Sequence, residues 1–446
     1  MFEYDQNAFR QIADDALRHA RDFGASDAVV EVSENSGLSV NVRRRKVETI
    51  EQTRDKSFGV TVYLGKRRGH ASSSDFRSAS LRETVSAAYQ IARFTAEDPA
   101  AGLPEPDTLC ADPRDPGVFH PWEIDADAAL ALALRAEGAA LDTSAAIRNS
   151  EGAAVSAGHG QFLLANSIGF AGGYRYSRHS ISCSPIASQG RDMQRDDWYS
   201  AHCDPGALAD PARLGRYAAE RALSRLGARR LATQRAPVLF EAPLACGLLG
   251  HFVQAVSGGA LYRRSSFLLD SLGTQVFARH VNVLEDPFQR DEFGSAWFDG
   301  EGVATQRRRI VDAGVVQGYF LSTYSARKLG MRTTGNAGGS HNLRLYSSRA
   351  RRGDDLEAML ARLGTGLFVT ELMGHGVNYV TGDYSRGASG FWVEDGRIAY
   401  PVEEITIAGN LRDMFAGIVA IGADEIRRGT KRVGSVLIDQ MSIAGT

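Results

Sequence analysis

The stretch Phe58-Gly59-Val60-Thr61-Val62-Tyr63-Leu64 alternates large apolar side chains with small or polar ones. A period of two places every second side chain on the same face, so the stretch predicts a β-strand with one buried face. Leu38-Ser39-Val40-Asn41-Val42 shows the same alternation. Before both runs, apolar residues from Phe9 to Phe23 recur at helical spacing, and Gly24 can end that helix in the left-handed conformation. These patterns predict an antiparallel sheet packed under helices.

Further helices are predicted on either side of a proline-rich connector. Ser80 and Glu83 have the spacing of a capping box, which predicts a helix running to about Phe94. Six of the 13 prolines then lie between Pro99 and Pro121, where fixed φ angles and missing N–H donors exclude regular structure. We therefore predict a connector over about 98–121. An alanine- and leucine-rich helix over about 125–141 follows, then β-like sequence, then a helix that Asp210-Pro211 can begin.

The second half of the chain is predicted to be rich in β-strands. Short apolar runs such as Leu367-Phe368-Val369-Thr370 are separated by glycine turns, and Glu394-Asp395-Gly396-Arg397 predicts a tight hairpin. We expect a curved, largely antiparallel sheet here. The predicted fold class is α+β, with an N-terminal helix and antiparallel-sheet domain at 1–235 and a β-rich C-terminal domain at 236–446.

Composition narrows the classes of partner and the compartment. The chain has 446 residues and a formal net charge of -2, so no broad positive field favours nucleic acid or an anionic membrane surface. Its four cysteines are widely spaced and form no C-x-x-C pair, which favours a reducing compartment. No apolar run approaches the length needed to cross a bilayer. We expect a cytoplasmic, soluble protein that binds neither nucleic acid nor membrane.

The segment Cys246-Gly247-Leu248-Leu249-Gly250-His251 offers two metal-ligating side chains and no carboxylate. A zinc peptidase needs two or three ligands and a carboxylate that takes the proton from the bound water. Cys246 and His251 are five residues apart, so on a regular helix they diverge by about 140°. We therefore expect no metal or other cofactor bound by this chain. The simpler interpretation is a buried helix with a small thiol and a hydrogen-bonded histidine.

Other polar residues are candidates for lining a peptide-binding cleft. Glu371 and His375 lie near glycines at a predicted strand end, and His341 follows Gly338-Gly339 in a loop where a ligand can approach the backbone closely. Asp383 is a further candidate. For each of them, a loop or turn residue without a binding role is the alternative.

Several long strings resemble the TldD/PmbA family of bacterial peptidases. The resemblance covers nearly the whole chain and is strongest from about residue 237, in Phe298-Asp299-Gly300-Glu301-Gly302-Val303, Glu371-Leu372-Met373-Gly374-His375-Gly376-Val377 and Ile405-Thr406-Ile407-Ala408-Gly409-Asn410-Leu411.

The resemblance also implies a function. The TldD-type member carries H-E-x-x-x-H, and here Cys246 stands in place of the first histidine and Gly247 in place of the glutamate, so only His251 remains. This pattern is similar to the PmbA type, also called TldE. It implies a subunit without zinc that pairs with a zinc-binding TldD-like catalytic subunit. The pair would process extended or unfolded peptides, including leader removal and antitoxin turnover.

Two alternatives remain open. The chain could be a stand-alone peptidase with a degenerate site that uses Cys246 or a water activated by Glu371. It could also be a regulatory or binding protein without catalysis, as the family's older label of gyrase modulator suggests. A homodimer is expected when the partner is absent.

Overall fold

A computed structural model describes residues 2–445 of the chain. The helices are α1 (Gln6–Asp22), α2 (Ser78–Phe94), α3 (Ala126–Leu141), α4 (Pro211–Ser224), α5 (Ala242–Ala255), α6 (Gly258–Tyr262), α7 (Thr323–Lys328), α8 (Leu356–Leu363) and α9 (Leu411–Ala416). The strands of the first half are β1 (Asp27–Arg43), β2 (Lys46–Leu64), β3 (Arg67–Ser73), β4 (Ile147–Asn166), β5 (Ala171–Gln189), β6 (Asp192–Arg195) and β7 (Trp198–His202). Those of the second half are β8 (Gln234–Phe240), β9 (Val281–Glu285), β10 (Arg308–Asp312), β11 (Val315–Val316), β12 (Leu343–Ser347), β13 (Gly366–Met373), β14 (Asp383–Glu394), β15 (Arg397–Asn410), β16 (Ile418–Ile421), β17 (Ile426–Arg428), β18 (Lys431–Val433) and β19 (Val436–Ala444).

The first half is one long antiparallel sheet with the strand order β3-β2-β1-β4-β5-β6, and β7 also pairs with β5. Along β1, Val30, Val32, Val40 and Val42 are buried on one face, as the alternating sequence predicts. Helices α1 and α2 cover one end of this face, and α3 and α4 cover the other. The sheet therefore has two separate apolar cores on the same side.

The helix ends show which local signals hold. The side chains of Asp125 and Asp210 accept hydrogen bonds from backbone N–H groups of α3 and α4, so both predicted N-termini are confirmed. The predicted capping box at Ser80 is wrong. Helix α2 begins three residues earlier, after Arg77, and the Ser80 hydroxyl donates to Asp75 Oδ2 at 2.6 Å. Ser80 is therefore the third residue of the helix and cannot cap its N-terminus.

The connector is irregular, as predicted, but it is firmly attached to the second half. Its regular structure among the described residues is one 3-10 turn at Pro106–Thr108. The guanidinium of Arg327 on α7 donates to the carbonyl oxygens of Ala100, Gly102 and Leu103. Because three carbonyls share one cation, the connector lies against α7 and is not a free linker.

The second half contains two sheets around a shared apolar core. One sheet has the order β11-β10-β9-β12-β18-β17. The other has the order β15-β14-β13-β8-β19-β16, and β15 also pairs with β19, so five of its strands close into a barrel. Only the pairs β8–β13 and β12–β18 are parallel among the described strand pairs. The predicted α+β class and the curved, largely antiparallel sheet are confirmed.

The hairpin predicted at Glu394-Asp395-Gly396-Arg397 joins β14 to β15. Asp395 and Gly396 both have positive φ, at 49° and 75°, as a two-residue type I′ turn requires. The first sheet uses strands that end by His202, and the other sheets use strands from Gln234 onward. The division into domains at 1–235 and 236–446 stays a prediction. No helix in residues 2–445 is both long and apolar enough to cross a membrane.

Candidate functional site on helix α5

Helix α5 carries the segment from Cys246 to His251, which resembles a zinc motif without its glutamate. It runs without interruption from Ala242 to Ala255. Leu248, Leu249 and Phe252 are buried in the core shared by the two C-terminal sheets. Since the helix is continuous, the residues at 246 and 251 keep their helical divergence and contact different neighbours.

Cys246 faces the hairpin formed by β17 and β18. Its thiol lies 3.9 Å from the carbonyl oxygen of Ile426 and 3.8 Å from that of Lys431. Burial raises the pKa of the Cys246 thiol to about 11, so the thiolate that a nucleophilic mechanism needs is scarce at neutral pH. Cys246 therefore behaves as a small core residue.

His251 faces the other side, toward the loop between β13 and β14. Its Nδ1 atom lies 2.8 Å from the hydroxyl oxygen of Tyr379, and its ring packs edge-on against Tyr384. Burial, together with the positive charge of Arg386, lowers the pKa of His251 to about 4. His251 is neutral at pH 7 and already has a hydrogen-bond partner.

Three cations surround this segment of α5. The charge of Arg386 lowers the pKa of His251, and the charges of Arg428 and Lys431 oppose the rise in the pKa of Cys246 that burial causes. Arg428 is fixed between aromatic rings, with its guanidinium carbon 4.5 Å from the Trp198 ring centre and 3.9 Å from that of Tyr199. Positive charges at these places oppose the binding of a further cation. The sequence did not reveal them as neighbours of α5, because they lie on distant strands.

Gly247 occupies the position of the missing carboxylate. It is exposed, and a Cβ atom built on it would meet no other atom within 4 Å. The helix therefore has room for a longer side chain here. Lack of space therefore does not explain why this position has no carboxylate.

Three of the four candidate cleft residues belong to one unit next to His251. Glu371 lies on β13 and forms an ion pair with Arg225, which follows α4. His375 is exposed in the loop that follows, and Asp383 begins β14, where Thr381 and Asn410 donate to its carboxylate. The same loop contains Tyr379, the partner of His251. Glu371, His375 and Asp383 therefore lie on one hairpin, and the loop of that hairpin contacts His251 on α5.

His341 lies elsewhere, in a buried ion-pair network. Its Nδ1 atom is 3.0 Å from Glu285 Oε1, and Arg308 donates to the other oxygen of Glu285 at 2.6 Å. Burial opposes the charge of Glu285, but the hydrogen bond from His341 and the charge of Arg308 lower its pKa to about 2. His341 is only 8 % exposed, which argues against direct contact with a peptide in this conformation. Its role in a cleft stays a prediction.

Part of the sequence resemblance has a structural basis in the loop that begins at Asp299. The Asp299 carboxylate accepts hydrogen bonds from the backbone N–H groups of Glu301, Val303 and Ala337. Burial raises the pKa of Asp299 to about 6 in spite of these donors. This string therefore stabilises a turn.

An antiparallel sheet covered by helices, followed by a closed barrel that packs against helix α5, is an architecture that this chain shares with a family of metallopeptidases. The chain belongs to the PmbA/TldA metallopeptidase family. The family's domain 1 matches residues 28–92, its central domain matches 119–226 and its C-terminal domain matches 233–445. The resemblance found in the sequence is confirmed.

Whole-length relatives agree with this assignment. The chain is 46% identical to Metalloprotease PmbA of Escherichia coli O157:H7, over 98% of this chain and 97% of that protein. It is 42% identical to the Metalloprotease PmbA homolog of Haemophilus influenzae, over 100% of this chain and 98% of that protein.

Solved structures share the complete fold. A putative modulator of DNA gyrase from Bacteroides thetaiotaomicron superimposes with a TM-score of 0.92 at 25% identity and covers 100% of both chains. TldE from Thermococcus kodakarensis superimposes with a TM-score of 0.86 at 18% identity, over 97% of this chain and 100% of that one. The second likeness concerns the fold alone.

Proposed function

We propose that this protein is the subunit without catalytic zinc in a two-subunit metalloprotease. A TldD-like partner supplies the zinc, and this chain helps to form the cleft that holds extended or unfolded peptides, as in leader-peptide removal and antitoxin turnover. The observation that carries the proposal is helix α5, where a protonated thiol, a glycine and a neutral, hydrogen-bonded histidine stand among three cations. Such a helix lacks both the ligands and the general base of a zinc peptidase.

The loop between β13 and β14 is the part of this chain that we assign to the cleft. Met373, at the end of β13, and Val380, in the loop, are 45% and 59% exposed, near the polar residues His375 and Asp383. These exposed apolar side chains can pack against an extended peptide, because the apolar side chains of an unfolded peptide are not buried in a core of its own. Holding the peptide near the partner's zinc raises its effective concentration there.

Reconstituted peptide cleavage tests the proposal. A TldD-like subunit is assayed on an unfolded peptide alone, with this chain, and with this chain carrying Val380→Asp. We expect rapid cleavage only in the mixture with the wild-type chain, and a rate at least tenfold lower with Val380→Asp. Val419→Asp is the matched control, because Val419 is 51% exposed on β16. Full activity of the TldD-like subunit alone would refute the proposal.

The same assay separates the alternatives. A stand-alone peptidase requires cleavage by this chain without a partner and loss of that cleavage in Cys246→Ala or Glu371→Ala. A regulatory protein requires a stable complex whose formation changes no rate of peptide cleavage. We place the protein in the cytoplasm, where its four free cysteines stay reduced. Size-exclusion chromatography of the lone chain tests the expected homodimer.

A further inference from the structure

Three metal-ligating side chains converge where the connector, the first sheet and the C-terminal half meet. His120 belongs to the connector, Cys203 follows β7, and Asp291 lies in the loop between β9 and β10. One potential ligand atom from each lies within 4.8 Å of the other two. We call these three residues the connector cluster. It uses neither Cys246 nor His251 and is separate from the site on α5.

The backbone of the connector cluster is held in place by Ser177 on β5. The buried Ser177 hydroxyl accepts a hydrogen bond from the N–H of His120 at 2.8 Å and donates to the carbonyl oxygen of Cys203 at 2.8 Å. The carbonyl of His120 also accepts from His179 Nε2 at 2.9 Å. These hydrogen bonds fix the backbones that carry two of the three side chains.

Two of the three side chains are partly exposed, whereas the Cys203 thiol is buried. His120 Nε2 lies 2.7 Å from Asp291 Oδ1, and the Cys203 thiol donates to the backbone carbonyl of Asp291 at 3.0 Å. The side chains of His120 and Asp291 are 34% and 45% exposed, so an ion can enter. Arg427 is a neighbouring cation, but Glu292 pairs with it at 2.6 Å. The charge balance therefore differs from that around α5.

We propose that His120, Cys203 and Asp291 bind a divalent transition-metal ion of the zinc type. One imidazole, one thiolate and one carboxylate form a donor set that suits zinc, and water completes a tetrahedral shell. Ligand atoms in such a shell lie about 3.2–3.9 Å apart, so the present separations require only small side-chain movements. On binding, the thiol loses its proton to solvent and its sulfur coordinates the ion.

A metal at this place would join the connector and the first sheet to the C-terminal half. The sequence predicted no metal in this chain, and that prediction rested on α5. The connector cluster escaped it because Cys203 and Asp291 are 88 positions apart, and His120 and Asp291 are 171 apart. No short-spacing motif signals such a set. The inference goes beyond the proposed partner role, which rests on α5 and on peptide cleavage.

Titration of the metal-free protein with Co²⁺ tests the inference, because a cobalt–thiolate bond gives a charge-transfer absorption band. We expect one equivalent of Co²⁺ to produce the band and Zn²⁺ to displace it. Cys203→Ser should abolish the band. His120→Gln and Asp291→Asn, at partly exposed positions, should weaken binding at least tenfold while leaving the circular dichroism spectrum unchanged.

Cys246→Ser is the matched control and should keep the band. A protein that gives no thiolate band with Co²⁺, or one whose band disappears in Cys246→Ser and survives in Cys203→Ser, would overturn the inference. In the first case the connector cluster would be only an ion pair beside a hydrogen-bonded thiol. Neither result changes the expected outcome of the peptide-cleavage assay.

Discussion

Helix α5 and the connector cluster both place a cysteine near a histidine, yet their surroundings differ in charge and order. On α5, Cys246 and His251 turn away from each other, and three cations stand around them. In the connector cluster, His120 and Cys203 converge on Asp291, and their backbones share one serine hydroxyl. The residue types alone therefore do not define a metal site. The directions of the side chains and the charges around them distinguish the two places.

Metal removal gives the largest expected difference between the two places. At free zinc of 100 times the dissociation constant, binding to the connector cluster would stabilise the folded protein by about 2.7 kcal/mol. A chelator should therefore lower the thermal unfolding temperature of the zinc-loaded wild type. Cys246→Ser should show the same decrease, whereas Cys203→Ser should show none. Equal responses of the two variants would remove the contrast.

Acid titration should reveal how dry the surroundings of His251 are. Its folded-state pKa of about 4 lies below the value of about 6.5 expected in the unfolded chain, so the unfolded state binds the proton first. Stability is therefore lost as the pH falls from about 6.5 toward 4, by about 2 kcal/mol between pH 7 and pH 5. In His251→Leu this part of the pH dependence should disappear in urea unfolding experiments.

A control for this measurement is Leu248→Ala, a core substitution on the same helix. It should lower stability at every pH without changing the dependence on pH, because it removes no titrating group. If His251→Leu and the wild type lose stability in parallel, the histidine is not the group that the acid titrates.

Gly247→Ala should have a smaller effect, of the opposite sign. A Cβ atom at this helical position meets nothing within 4 Å, so the substitution should stabilise the protein by about 0.5–1 kcal/mol. Gly258→Ala is the contrasting variant, because its Cβ would lie 2.2 Å from Ser325 Oγ and should destabilise. Zinc content should not rise in Gly247→Glu, although the side chain fits.

Arg386→Gln should give the smallest change. Removing this positive charge raises the pKa of His251, so less stability is lost in acid. We expect a difference of about 0.5 kcal/mol or less at pH 5, since burial is the larger cause of the shift. Urea unfolding at low and high salt would show it, with the difference shrinking as salt screens the charge.

The sequence predicted what depends on short spacing. Strand periodicity in β1 and β2 and the caps at Asp125 and Asp210 follow from residues close together in the chain. What it missed depends on distant contacts. The predicted Ser80 cap was wrong because the helix begins at Ser78, which places Ser80 inside the first turn.

The candidate site shows the same limit. The neighbours that matter for α5, Arg386 and Arg428, come from β14 and β17, far along the chain. The glycines before His341 predicted a loop, but they gave no sign that His341 is buried. It is buried because it hydrogen-bonds to Glu285 on β9. Only the folded chain brings such groups together, so spacing could not identify them.

The closure of the barrel by β19 has a consequence for synthesis of the protein. Val436–Ala444 pairs with β8, β15 and β16, so the barrel stays open until this segment has left the ribosome. The first sheet is complete by His202 and can form while translation continues. A nascent chain that stalls before β19 would have a complete first sheet and an open barrel. The unpaired strand edges of that barrel would make the chain a target for chaperones.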